Sequence, residues 1–422
     1  MQVLGDVVVE DGVTLTIAPG TRVEFQDYFR LTVHGTLDAR GRADRPITFT
    51  SAHPELFALD ASRTGCWNGL RFEEKPAHNA PSRLEHCVIE FSKAVGGAGA
   101  HPDGGGALSV EGCAGVELVN CSLRSNLAAV GGALFLYRQA NVRIVGCLIA
   151  DNHALENAAA VYCAYSYPTI ANCTVVANRI HNASNPYSET FAIQGFVAKL
   201  DLAHDIVWDN TPDVVYQHAQ TFGAKSALTR KCDVEDWPGG GDSFSLDPRF
   251  VDAAAGDWRL GFASPCVDAG ERLDDAAHPP LHDLDGRERS LDGDLDTHPR
   301  LDLGAYEFAP LELATDGALG GSATCRLWGE DGGTGTLYVA RGGLGPRALA
   351  TPFGGLRLEP RGSFAAGTCA LGAAQPGTLV LALPSDPALV GERFGFQALS
   401  TSSHAPAGRA LTNALEITLA LP

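Results

Sequence analysis

Methionine, basic charge and long apolar runs are all scarce in this chain. One Met among 422 residues, beside Gly 48 and Pro 24, describes a polypeptide of many turns and few helices. Lys and Arg number 31 against 50 Asp and Glu, a net charge of −19. That balance argues against nucleic acid or an anionic membrane as partner, and it disfavours a polyanionic polysaccharide. No apolar run reaches the ~18 residues of a membrane-spanning helix. A nucleophile elbow, a phosphate loop, zinc-ligand spacing and a dinucleotide fingerprint are missing as well.

What is present is repetition. Gly105-Gly-Ala-Leu-Ser-Val leads to Val119-Asn-Cys121 and Asn126, Gly131-Gly-Ala-Leu-Phe-Leu to Val145-Gly-Cys147 and Asn152, and Asn157-Ala-Ala-Ala-Val-Tyr to Asn172-Cys173 and Asn178. Cysteine recurs every 26 residues, with asparagine five positions later. Weaker copies run from Leu84 through Cys87 and from Phe191 to Asn210, the latter after an insertion at 179–190. A period in the twenties denotes a solenoid. Each copy holds three short aliphatic runs, as at 133–137, 142–145 and 147–149, separated by Gly or Asn turns too tight for helix. That is one coil of a parallel β-helix, whose inner face is buried only by stacking on its neighbours at ~4.8 Å. Cys87, Cys121, Cys147 and Cys173 are expected in one internal column beside Leu123, Ile149, Val175 and Val207. Asn126, Asn152, Asn178 and Asn210 are expected in an outer turn column with left-handed backbone. Asp205 stands where the column would place a cysteine, and an inward carboxyl there needs a partner.

These Gly-Gly…Asn-Cys…Asn repeats resemble right-handed parallel β-helix proteins of the pectate-lyase-like superfamily, particularly bacterial surface proteins. The opening Gly5-Asp-Val-Val-Val and Gly12-Val-Thr-Leu-Thr-Ile-Ala-Pro-Gly20 is similar to their first coils. The stretches 247–270 and 302–308 are similar to their closing segments. The resemblance covers 1–308 and implies a fold, because that superfamily includes lyases, hydrolases, adhesins and inert scaffolds.

The expected organisation is a β-helix over 1–308, capped by about 211–308, and a small antiparallel β-sandwich over 309–422. The latter reading rests on alternating runs such as 336–339, 379–383, 394–399 and 414–419 between Gly/Pro/Ser turns. Of 11 cysteines, those in the repeats read as small buried hydrophobes, while Cys325 and Cys369 are candidates for a disulfide. Met1 precedes a strand-like segment directly, so an export signal is expected upstream in a longer chain and the protein is expected to be secreted or displayed at the cell surface.

Three groups of residues offer chemistry. The run Asp283, Asp285, Asp292, Asp294 and Asp296 suits a structural Ca²⁺, which takes six to eight oxygens, although the spacing is not that of an EF-hand; the alternative is a solvated acidic loop. On the coil wall, alternation points Leu134 and Leu136 inward and Phe135 and Tyr137 outward. Tyr137, Tyr165 and Tyr167, with His181, Asn185 and Tyr187 from the insertion, are the candidate saccharide-binding face; the alternative is packing beneath that insertion or the C-terminal domain. Glu156 and Lys199 are the first candidates for acid and base if chemistry occurs. No Arg-Pro-Lys-like lyase segment or in-register carboxylate cluster accompanies them.

The expected function is a structural, adhesin-like or glycan-binding surface module. The alternatives are a polysaccharide lyase or glycoside hydrolase acting in a lateral groove, or a self-associating subunit of an extracellular fibre.

Overall fold

The structure, a computed structural model, describes residues 1–95, 104–181, 192–210, 228–237, 241–271, 281–289, 291–359 and 362–421. The chain divides into two compact units: Met1–Pro248 with Ala276–Arg289 and Leu303–Tyr306, and Arg249–Asp275 with Ser290–Asp302 and Glu307–Pro422. No helix among the described residues is long and apolar enough to cross a membrane.

The first unit is a parallel β-helix. Its described strands form sheets of nine, eight, seven and four. One coil visits all of them in turn, at Leu127–Val130 in the four-strand corner sheet, Leu134–Tyr137 in the seven-strand sheet, Arg143–Val145 in the eight-strand sheet and Leu148–Ala150 in the nine-strand sheet. Register stacks like on like: Phe49, Ile89, Leu123, Ile149, Val175, Val207 and Val234 form one buried column. No coil encloses this apolar surface by itself, so each is stable only between neighbours. The Gly-Gly pair has a local cause. Gly131 is left-handed at φ 64°, and a Cβ at Gly132 would sit 2.2 Å from the Ala159 carbonyl oxygen of the next coil.

The cysteine column is internal, as its spacing predicts. The Cys121 and Cys147 amides donate to Cys147 and Cys173 Sγ at 3.4 Å, and burial pushes the Cys87 and Cys147 thiols up. Asp205 continues the column, accepting from the Cys173 amide at 2.7 Å and the Ala203 amide at 3.0 Å, and its own amide donates to Cys232 Sγ. Burial pushes its carboxyl well above the usual range.

The asparagines correct the expected outer column. Asn126, Asn152 and Asn178 are fully buried, and the left-handed residue is the one before each: Ser125, Asp151 and Ala177 at φ 54–55°. That kink turns the amide inward, where Nδ2 donates to Oδ1 of the next rung: Asn126 to Asn152 at 2.9 Å, Asn152 to Asn178 at 2.9 Å, Asn178 to Asn210 at 2.8 Å. Each Nδ2 also meets a carbonyl of the preceding coil, as Asn152 does at Leu123. An inner turn leaves polar backbone without water, and the ladder supplies its partners.

The third copy also departs from a strict 26-residue period. Leu134 pairs with Val161 rather than Ala160, so Tyr162 shares the outer face of Phe135, whose ring it stacks at 5.4 Å. A register shift opposite Ala128–Val130 absorbs the extra residue, and by Arg143 opposite Thr169 the 26-residue offset has returned. Without that bulge the slip would have reversed every side chain of the strand.

Part of the expected cap runs along the flank, where Asn120 Nδ2 donates to the His282 carbonyl and the Ala305 amide to Thr174 Oγ1. Phe244 exchanges backbone bonds with Cys232 and Val234 at the last coil, covering a sheet end that would otherwise expose donors and acceptors.

The second unit contains an antiparallel β-sandwich. A three-strand sheet (Leu311–Ala314, Ser322–Leu327, Gly377–Ala382) and a four-strand sheet (Thr334–Arg341, Ser363–Ala370, Arg393–Thr401, Arg409–Thr418) enclose Leu311, Leu327, Leu337, Val339 and Phe396. The expected disulfide is absent: Cys325 and Cys369 are free thiols. Cys369 Sγ lies over Gly377, where a Cβ would meet it at 2.6 Å, and it contacts the Gly335 carbonyl.

Candidate functional site

The corner between the seven-strand and eight-strand sheets is built to display side chains. At each coil the backbone turns through a left-handed residue: Glu74, Gly112, Arg138 with Gln139, Tyr165 and Val197. Successive turns are tied together. Gln139 N donates to the Tyr165 carbonyl at 2.8 Å, Ala140 N to Ser166 Oγ at 3.1 Å, Tyr167 N to Asn141 Oδ1 at 3.0 Å and Lys199 N to the Ser166 carbonyl at 3.3 Å. The rings therefore stand on a fixed backbone. Tyr165 and Tyr167 are 45% and 52% exposed, which excludes burial beneath any other described segment.

These residues face a hollow of about 510 Å³ lined by Gly112, Arg138, Gln139, Tyr165, Tyr167 and Val197. It shares Gly112 and Gln139 with a neighbouring hollow of about 470 Å³ that reaches Lys75, Asn79, Pro81 and Cys113. Together they form a groove along the stacking direction, one turn per coil. Beside it Tyr137 meets Tyr165 edge-on at 6.0 Å, Tyr165 meets Phe196 at 5.6 Å, and the Arg138 guanidinium lies 5.0 Å over Tyr137. Burial pulls the Lys75 ammonium down from its ordinary value. None of the lining residues carries a carboxylate.

Tyr137, Tyr165, Tyr167 and Lys199 are thus brought to one corner. His181 is not among them. It follows the strand Arg179–Ile180 of the corner sheet, where the chain enters the seven-strand sheet rather than leaves it, and its Nε2 lies 2.9 Å from His153 Nδ1. Glu156 is on the same entry side, so one four-residue strand, about 13 Å at the usual rise, intervenes before the exit turns that carry Lys199. Asn185 and Tyr187 lie outside the described residues. Arg138, Gln139, Lys75 and Phe196 were not anticipated, although in-register counting places Phe196 two coils from Tyr137 through Ala164.

The acidic run does not act as one loop. Asp283 and Asp285 belong to the first unit and Asp292, Asp294 and Asp296 to the second. Asp283 closes its own turn, accepting from Arg287 N at 2.6 Å. In the second unit Asp292 and Asp294 are joined by Asp268, with a carboxylate oxygen from each lying within 4.8 Å of the others. Asp268 Oδ2 accepts from Gly293 N at 2.6 Å and Asp294 N at 2.9 Å, its Oδ1 from Arg300 N at 2.7 Å. Burial, then the charge of Asp302, pushes Asp268 up to about 8, and burial pushes Asp292 up to about 6. Asp296 bonds its own turn through His298 N. Hard oxygen donors crowded against like charge suit Ca²⁺.

No family model matches the chain, and no curated protein matches it. Among solved structures the chain is similar to full-length tailspike protein 2 from Escherichia coli O157:H7 bacteriophage CAB120, at 12% identity, covering 94% of this chain and 58% of that one, with a TM-score of 0.23. The chain spans little more than half of that tailspike's length, and a superposition at this score carries no argument about fold or function.

Proposed function

We propose that the first unit is a glycan-binding β-helix of a secreted or surface-displayed protein, akin to the pectate-lyase-like solenoids, that holds an extended sugar chain along the exit corner without cleaving it. The observation that carries this reading is the groove of Arg138, Gln139, Tyr165, Tyr167 and Val197, in which each coil contributes a contact at ~4.8 Å, close to the scale of one sugar ring. Exposed aromatic faces beside amide and guanidinium donors are the groups that pack on and hydrogen-bond to pyranose rings. The pairing of the adjoining Glu111 carboxylate with Arg138 at 3.5 Å, and the separation of Glu156 from Lys199, favour retention over lyase or hydrolase chemistry. The described cysteines form no disulfide that would speak for export, so the surface assignment rests on the groove alone.

The test is a panel of soluble polysaccharides screened by affinity electrophoresis. Tyr165→Ala and Tyr167→Ala are expected to weaken binding of any ligand found by at least tenfold, with no new reducing ends and no ultraviolet absorbance from unsaturated products. Full binding by both variants overturns the site, and product formation overturns the non-catalytic reading. For the second unit we propose a structural Ca²⁺ held by Asp268, Asp292 and Asp294, with backbone carbonyls and water completing its shell.

A further inference from the structure

The corner sheet carries a pair of imidazoles that the groove does not use. His153 opens the strand His153–Asn157, and His181 follows Arg179–Ile180 on the next coil. Strand pairing sets His153 opposite Arg179, and the His181 amide donates to the Ala154 carbonyl at 2.9 Å, so both backbones are fixed by the ladder. Their rings lie 4.9 Å apart at 36°, with His181 Nε2 2.9 Å from His153 Nδ1 on the exposed side of the sheet. Two imidazole nitrogens this close share either a proton or a cation. With metal–nitrogen bonds of about 2.0–2.1 Å, a right-angled pair of ligands is about 2.9 Å apart and a tetrahedral pair about 3.4 Å. The observed separation matches the first and needs only a small ring rotation for the second.

Burial, with the charges of His181 and Arg179 adding to it, disfavours a proton on His153 and offers a metal ion no charge attraction, so an ion here would be held by the two nitrogen lone pairs. The guanidinium of Arg179 pairs with Asp209 at 3.0 Å and also bonds the Asn178 carbonyl. We propose that His153 and His181 form a cis-bidentate site for a divalent transition-metal ion of borderline softness, Zn²⁺ or Cu²⁺, with water at the remaining positions. Imidazole donors select such ions over Ca²⁺ and Mg²⁺. The bound ion would cross-link two successive coils at the sheet corner, independently of any ligand in the groove.

Titration of the whole protein with Zn²⁺ at pH 7.5, followed by calorimetry and melting, tests this. Expected are one site in the micromolar range and a rise in Tm that Mg²⁺ does not reproduce. His153→Gln and His181→Gln should each weaken that site at least tenfold while melting like the parent in EDTA. Electron paramagnetic resonance with Cu²⁺ should show two coupled imidazole nitrogens in the parent and one in either variant. Zn²⁺ affinity unchanged in both variants, or no binding up to millimolar Zn²⁺, overturns the proposal.

Discussion

The β-helix and the sandwich are both all-β, yet they store their stability differently. In the β-helix one residue type does one job coil after coil, so a local fault is shared: Asn152 completes the bonding of Asn126 above and Asn178 below. In the sandwich each polar contact is made once. Gln397 accepts from Arg357 N and donates to the Gly355 and Thr412 carbonyls, and no neighbouring rung repeats it. Repetition makes a defect propagate along the stack, whereas a unique network confines it.

Four measurements sharpen that contrast, from the largest effect down. Asn152→Ala should destabilise the first unit by about 3–5 kcal/mol, since it orphans buried donors and acceptors on two coils; chemical denaturation should show the loss there and leave sandwich amides protected from hydrogen exchange. A loss under 1 kcal/mol would mean that water enters the turn.

The second concerns pH. Burial, reinforced by Lys231, Arg230 and Arg289, holds His204 down to about 4. As pH falls below 6.5 the unfolded chain takes the proton first, so stability drops between pH 6.5 and 4 and levels off below, by about 2–3 kcal/mol. His204→Asn places at this left-handed position the residue found at Asn120 and Asn172, and it should remove the His204 share of that slope while leaving the share of His153, which is also held down to about 4. An unchanged slope would assign the acid sensitivity elsewhere.

Third, Cys147→Ser should cost about 1–3 kcal/mol, because a hydroxyl replaces a buried thiol; equal melting of mutant and parent would contradict the packed column. Last, if Ca²⁺ binds at Asp268, Asp292 and Asp294, ten times its Kd stabilises the second unit by about 1.4 kcal/mol. EDTA should lower its melting temperature by a few degrees, and Asp268→Asn should abolish the difference.

The same contrast explains what could be read from sequence. Period and alternation announced the β-helix, the Cys column and the outward Tyr137, because stacking copies one coil's pattern onto the next. The inward turn of Asn152 was hidden, since a left-handed kink at Asp151 is a backbone choice that spacing does not record. Asp268 was missed because it stands 24 positions before Asp292, outside the acidic run, and no repeat spacing links the two. Alternation likewise proposed strands at 379–383 and 394–399 while saying nothing of how the sheets are ordered. His153 and His181 differ by 28 residues, two more than the period, and were invisible to an in-register search.

The bulge at the third copy bears on how such a chain can change. The corner sheet there gains a residue and the exit turn loses it again before Thr169, while Cys147 to Cys173 and Asn152 to Asn178 keep their ladder bonds unbroken. The next coil is longer by six, Cys173 to Asp205 being 32 residues, and both ladders still close. The cysteine and asparagine ladders thus act as alignment marks that reset the count once per coil, so errors in length between them do not accumulate. Evolution can write and erase segments between the marks, and a designer should be able to graft loops where the chain enters or leaves the seven-strand sheet while leaving the two ladders alone.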